Sequence, residues 1–227
     1  APYIDLTVGV MKDFGAKILQ RGRHAYRVGT QSVYTGRNYD VEGDASSASY
    51  FFLAAALLKK PVRVYGIKLD SVQGDIGLLS ILEKLGCRIA GGEMWVEVSA
   101  TDDLASGDMT FDMGNMPDMV PTVGVLAAYR AGRTTITNVA HLRIKESNRL
   151  AAMAAELGRI GIVASERPDG LIIEGGTPRA ADIETYNDHR IAMSFAVAGL
   201  VTPGIEIADK KCVDKSFPGF WRELAKI

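Results

Sequence analysis

Cysteine is scarce: Cys87 and Cys212 are the only two in 227 residues, far apart and in no metal-ligand spacing. That gives no disulfide framework and no zinc module, and leads us to expect two buried thiols in a cytoplasmic protein. Excess charge is missing too. Against 26 basic residues stand 27 acidic ones, a net charge of -1. Nothing global therefore points to nucleic acid or to an acidic membrane surface, and any anion must be recognised by locally placed Arg and Lys. Long apolar runs are also lacking. The longest, Tyr50 to Leu58, is too short to span a bilayer, and no basic stretch precedes an apolar segment as in an export signal. What is present is apolar material, 47% of the chain, enough for one large domain or one domain and part of another.

The chain repeats itself. Asp44, Asp118 and Asp188 each stand before a small-residue apolar stretch at near-equal spacing. Each Asp is a candidate helix N-cap, accepting from free backbone N–H groups. The helices that follow are apolar nearly all round and so are expected to be buried. Short β-branched strands come next, at Arg63–Tyr65, Thr135–Thr137 and Ile205 onward. A second helix follows, from Asp75, Glu146 and Phe217, with Gly86 and Gly158 as expected C′ glycines. Two more strands complete the first two units, Arg88–Ala90 with Trp95–Val98 and Ile162–Ala164 with Leu171–Ile173, turning at Gly91-Gly92 and Pro168-Asp169-Gly170.

The expected fold is thus mixed α/β (α+β), built from helix–strand–helix–strand–strand units at about 42–100, 110–176 and 184–227, the third incomplete. Residues 3–18 read as the second helix and next strand of an earlier unit, with His24–Val28 as its last strand. The expectation is a chain cut inside a repeat. Residues 1–38 would be the tail of a preceding domain and 39–227 the second domain, with a polar break around Thr35 to Val41. The incomplete third unit should leave an exposed sheet edge.

Stacked like units place corresponding helix N-termini at one end, where their partial positive charge suits an anion. The charged residues beside those termini lie in units two and three: Asp118, Lys145, Glu146 and Arg149, then Asn187, Asp188, His189, Arg190 and Lys215. The first unit offers neutral Ser46, Ser47, Ser49 and Gln73 at matching places. Lys145 and Arg149, four apart, are expected on one helix face. Arg149, Arg190 and Lys215 around one pocket would suit a small polyanion. Asp118 and Glu146 there would feel both cations and burial, the setting of paired acid and base work. The plainer readings stand beside these: caps for Asp118 and Asp188, a solvated first turn for Lys145 to Arg149, surface positions for His24 and His141. Spacing alone says anion-binding cleft and names no reaction.

Several stretches occur in one family's order: Pro2-Tyr3-Ile4-Asp5, Glu42 to Tyr50, Gln73-Gly74-Asp75, Met116-Pro117-Asp118, Arg143 to Arg149, Tyr186 to Met193, and Lys215-Ser216-Phe217-Pro218. Together they resemble the 5-enolpyruvylshikimate-3-phosphate (EPSP) synthase family. The resemblance implies one domain of a two-domain enolpyruvyl transferase fold, with the active site in the cleft between domains. It implies transfer of the enolpyruvyl group of phosphoenolpyruvate (PEP) to the 5-hydroxyl of shikimate 3-phosphate through a tetrahedral adduct, releasing phosphate, with no cofactor and no obligatory metal. Its partners would be those two substrates and the absent N-terminal domain, in a monomeric enzyme with no nucleic acid and no membrane. By motif, Asp118 would accept the hydroxyl proton and Glu146 would serve the PEP methylene. Arg149, Arg190 and Lys215 would hold PEP, with His189 beside them. Lys145 would lie near the shikimate hydroxyls and Tyr3 on the shikimate phosphate side. There are departures: His141 stands where several members carry an asparagine contacting the shikimate moiety, and Asn148 replaces a usual aspartate. The family's N-terminal-domain lysine, Ser-Ser-Gln phosphate site and PEP-binding arginine have no match here. The other readings are UDP-N-acetylglucosamine enolpyruvyl transferase, which lacks this Lys-Glu and Asn-Asp-His-Arg combination, and a non-catalytic module that kept the fold.

Overall fold

A computed structural model describes residues 2–22, 25–100 and 102–227. His24, expected to open a strand, lies outside the described residues. The chain begins with helix α1 (Pro2–Asp13) and the antiparallel pair β1 (Ile18–Arg21) and β2 (Ala25–Val28). Residues 32–44 then run without regular structure into α2 (Ala45–Leu58).

The first unit continues with β3 (Val62–Tyr65), α3 (Leu78–Lys84), β4 (Arg88–Gly92) and β5 (Trp95–Ser99), forming a sheet ordered β3-β5-β4. The second contains β6 (Met109–Asp112), α4 (Val120–Ala128), β7 (Arg133–Thr137), α5 (Arg149–Arg159), β8 (Val163–Arg167) and β9 (Gly170–Glu174), with sheet order β6-β7-β9-β8. The third contains β10 (Ala181–Ile183), α6 (His189–Ala198), β11 (Ile205–Ile207) and α7 (Phe220–Leu224). Strands β6 and β10 were not expected. Each precedes its unit's inner helix and pairs in parallel with the strand after it, β6 with β7 and β10 with β11. They are short, and β10 carries Asp182 on its exposed side, so neither has a strong alternating signal. Among the described residues β11 has a strand on one side only.

Helices α2, α4 and α6 pack on one another at the centre, with the sheets outside. All nine residues of α4 are buried, and α2 contributes Ala48, Ala54, Ala55 and Ala56 to the same core. Small residues let the backbones approach closely, and the larger Leu, Ile and Phe side chains contribute about 2 kcal/mol each by burial. Two hydroxyls meet inside the contact, Ser49 Oγ and Thr122 Oγ1 at 3.2 Å, so neither is left unpaired. Farther along, the Tyr129 hydroxyl donates to Ala198 O at 3.2 Å. At the end of α4 the buried Arg130 donates to the carbonyls of Ala105, Gly107 and Arg133 and to Thr134 Oγ1. Strands β5 and β7 alternate buried with more exposed residues, giving the three- and four-stranded sheets an inner and an outer face.

Four local expectations change. Gly91 and Gly92 end β4, and the turn is Glu93–Met94; at Gly92 the Trp95 indole lies where a Cβ would sit. Only Pro168–Asp169 form the next turn, Gly170 being the first residue of β9. The second helix of the middle unit begins at Arg149, not Glu146. It also runs past Gly158, and the left-handed glycine after it is Gly161, at φ +86°. Gly158→Ala should therefore stabilise the chain by about 0.5–1 kcal/mol, since a Cβ there meets open space. Gly161→Ala should destabilise it by about 1–2 kcal/mol. Urea unfolding midpoints of the two variants test this; equal shifts would contradict the assignment.

Candidate active site

The N-terminal ends of the helices meet at one end of the core. Asp188 caps α6, accepting from Arg190 N at 3.0 Å, and Asp44 caps α2, accepting from Ser46 and Ser47 N. Asp118 does not cap. It lies in the 3-10 turn Pro117–Met119 leading into α4 and makes no capping bond. That helix starts with Val120 and Pro121, and proline removes one of the donors a cap would serve. Asp118 Oδ1 and Oδ2 instead accept from Arg149 at 2.9 Å and from Arg190 at 3.1 Å.

Arg149 is the centre of the arrangement. Its side chain is 1% exposed and its guanidinium donates to three carboxylates: Asp118, Glu146 at 2.7 Å, and Asp188 at 2.9 and 3.3 Å. Ser147 Oγ adds a bond to Asp188 at 3.0 Å. Glu146 also accepts from Lys215 Nζ at 2.9 Å. Lys215, Glu146, Arg149, Asp118 and Arg190 thus alternate in a line of ion pairs that branches at Arg149 to Asp188, three cations with three carboxylates. Access differs sharply: the Lys215 side chain is 57% exposed and that of Arg190 15%.

Burial works to raise the Glu146 carboxyl. The Lys215 hydrogen bond, its own backbone and the Arg149 charge outweigh it and hold the pKa down at about 2. Glu146 is therefore an ionised acceptor here, and becomes an acid only if those cations are drawn away. His189, the buried first residue of α6, has its pKa lowered by burial and then by Arg190, so its imidazole stays neutral. Its Nδ1 has no hydrogen-bond partner among the described residues.

Lys145 is not on a helix face with Arg149. It follows the 3-10 turn Ala140–Ile144, is exposed, and makes no hydrogen bond or ion pair among the described residues. The bend from Lys145 to Ser147 turns Glu146 back onto Arg149, while Asn148 caps α5 by accepting from Ala151 N. His141, in the same turn, is exposed and apart from the network. Tyr3, on α1, reaches the site indirectly: its hydroxyl donates to Asp75 Oδ1 at 3.5 Å, and burial followed by the charges of Asp75 and Asp118 raises its pKa.

Asp75 itself was missed. It is buried in the 3-10 turn before α3, accepts from Ser46 Oγ, and has its pKa raised by burial, with Asp118 adding to the rise. The first unit is therefore not neutral at this end. Alignment of the units would have shown it, because Asp75 stands where Glu146 stands in the next one. Tyr50 was also missed: its buried hydroxyl lies beside Arg190 without a well-aligned hydrogen bond, and burial pushes it up to about 12. Among the described residues no group of three or more His, Cys, Asp or Glu is placed to hold a metal ion.

The fold is that of the enolpyruvyl transferases. An EPSP synthase from Acinetobacter baumannii superposes with a TM-score of 0.82 at 32% identity, covering 97% of this chain and 53% of that one. The enolpyruvyl transferase NikO from Streptomyces tendae, at 22% identity and TM-score 0.76, shares the fold. More specifically, the chain belongs to the EPSP synthase (3-phosphoshikimate 1-carboxyvinyltransferase) family, whose model matches residues 1–224. It is 44% identical to a 3-phosphoshikimate 1-carboxyvinyltransferase of Syntrophobacter fumaroxidans over its whole length, and 43% identical to one of Methanoregula boonei over 99% of it. It spans about half the length of these relatives, 53% in each case.

The depressed Glu146 pKa has a thermodynamic sign. A carboxyl held at about 2 against an ordinary 4.5 adds stability above pH 4.5 that is lost as pH falls toward 2, and solvent around the exposed Lys215 screens part of it. Glu146→Gln should flatten the acid side of the stability curve over that window. Chemical denaturation at several pH values reads it, and parallel curves for the two proteins would refute the pairing.

Proposed function

We propose that this chain is the C-terminal part of a 3-phosphoshikimate 1-carboxyvinyltransferase that moves the enolpyruvyl group of PEP to the 5-hydroxyl of shikimate 3-phosphate and releases phosphate. The observation that carries the reading is the alternating Lys215–Glu146–Arg149–Asp118–Arg190 network in a chain of this family. Residues 1–38 would close the preceding domain, and that domain would supply the rest of the cleft. Two free buried thiols suit the reducing cytoplasm, where we place the enzyme.

The chemistry follows from the pairings. PEP is a small polyanion, and Lys215 and Arg190 are the cations it can reach first. As its carboxylate and phosphate take donors from Lys215 and Arg149, Glu146 loses the charges that hold its pKa down. Glu146 can then take up a proton from solvent and pass it to the PEP methylene carbon, leaving the neighbouring carbon electron-poor. The 5-hydroxyl attacks that carbon while Asp118 accepts its proton, and the cations stabilise the adduct. Phosphate leaves as the methyl group returns its proton to Glu146. Arg149 meets an anion only when one of its carboxylates yields, so it serves as brace first and ligand second. Neutral His189 lies beside the cations, Tyr3 bounds the site through Asp75, and Lys145 and His141 are left to face the acceptor side.

Full-length protein should release phosphate when given both substrates, and the 227-residue chain alone should not. Asp118→Ala in the full-length protein should lower kcat by at least about a hundredfold. Robust turnover by the isolated chain would sink the two-part site, and unchanged kcat in Asp118→Ala would favour a non-catalytic module. Turnover with UDP-N-acetylglucosamine in place of shikimate 3-phosphate would overturn the acceptor.

A further inference from the structure

One buried carboxyl takes no part in the ionic network. Glu156 lies about two helical turns along α5 from Arg149 and is fully buried. Its Oε1 accepts from the Tyr186 hydroxyl at 2.7 Å and its Oε2 from Glu184 N at 3.0 Å, with Arg159 Nε 3.3 Å from Oε1. A buried carboxyl costs several kcal/mol unless its oxygens are satisfied. Here two of the donors come from a single loop, 184–187.

That loop is locally unfavourable. Tyr186 and Asn187 both sit at φ 54°, in the left-handed region. Each such residue without glycine costs roughly 1 kcal/mol or more, and two in succession persist only where the surroundings dictate them. Glu184 helps by accepting from Thr185 N at 3.1 Å and Tyr186 N at 3.3 Å. Tyr186 remains 37% exposed, so packing alone does not explain the position; the hydroxyl bond does. Burial and Glu156 push that hydroxyl up to about 12, keeping it a neutral donor. The next residues are Asp188, which receives Arg149, and then His189 and Arg190.

We propose that Glu156 and Tyr186 are positioning residues: their hydrogen bond fixes the left-handed loop 184–187 and so sets Asp188 against Arg149 and Arg190 against Asp118. Helix α5 then holds the loop at two points, through Arg149 at its start and Glu156 along its length. The kinetic part rests on the transferase reading above. In the full-length enzyme, Tyr186→Phe and Glu156→Gln should each raise KM for PEP roughly five- to tenfold, the scale of one hydrogen bond. The double variant should be no worse than the more impaired single, because both remove one bond. Hydrogen exchange of residues 184–190 should quicken at least about tenfold in Tyr186→Phe while α4 is unchanged. A lowered Tm with unchanged KM would reduce the pair to a structural role and overturn the proposal. If the wild-type enzyme shows no turnover with PEP and shikimate 3-phosphate, the functional reading fails, and exchange alone decides the loop: unchanged exchange overturns it.

Discussion

A guanidinium with 1% of its surface exposed must have its charge met within the protein, and Arg149 draws its counter-charges from three places in the chain. Asp118 comes from the turn before α4, Glu146 from the bend before α5, and Asp188 from the cap of α6. Removing one partner of a buried pair typically costs 3–5 kcal/mol, because the other charge is left stranded. The register of the helices and the geometry of the site are therefore one constraint. Neither α4 nor α6 can slide against α5 without unpairing Arg149.

The inner helices make that constraint affordable by being featureless elsewhere. Their small apolar side chains specify close approach but little orientation, so the polar pairs at the ends supply it. Ser49 with Thr122 pins α2 to α4 near their starts, and Tyr129 with Ala198 pins α4 to α6 at the far end. Asp75 and Ser46 bring the first unit to the same surface from the opposite side.

Much of this was legible because repetition and apolar patterning are local properties. The three small-residue apolar stretches, the caps at Asp44 and Asp188, the buried helices and the longer strands all follow from residue order. What escaped were features decided by distant partners. Asp118 looks like a cap in sequence, but two arginines from other elements claim its oxygens. Glu146 looks like a first helical residue, yet Asn148 caps the helix and a bend returns Glu146 to Arg149. Lys145 was grouped with Arg149 by a helical period that does not hold at that bend. Strands β6 and β10 are parallel and short, and parallel pairing leaves no nearby turn signal to announce it. The roles of the individual residues came from resemblance, and geometry alone supplies only their pairings.

The balanced ionic network has a kinetic corollary. With three cations set against three carboxylates, in a chain whose net charge is -1, little field extends into solvent to draw an anion from afar. On the transferase reading such a site would work as an ion exchanger, not as a funnel: an incoming anion would gain affinity mainly by displacing a carboxylate that already holds the same donor. Capture would then be selective for ligands that replace several acceptors at once, and simple monoanions such as chloride would be poor competitors.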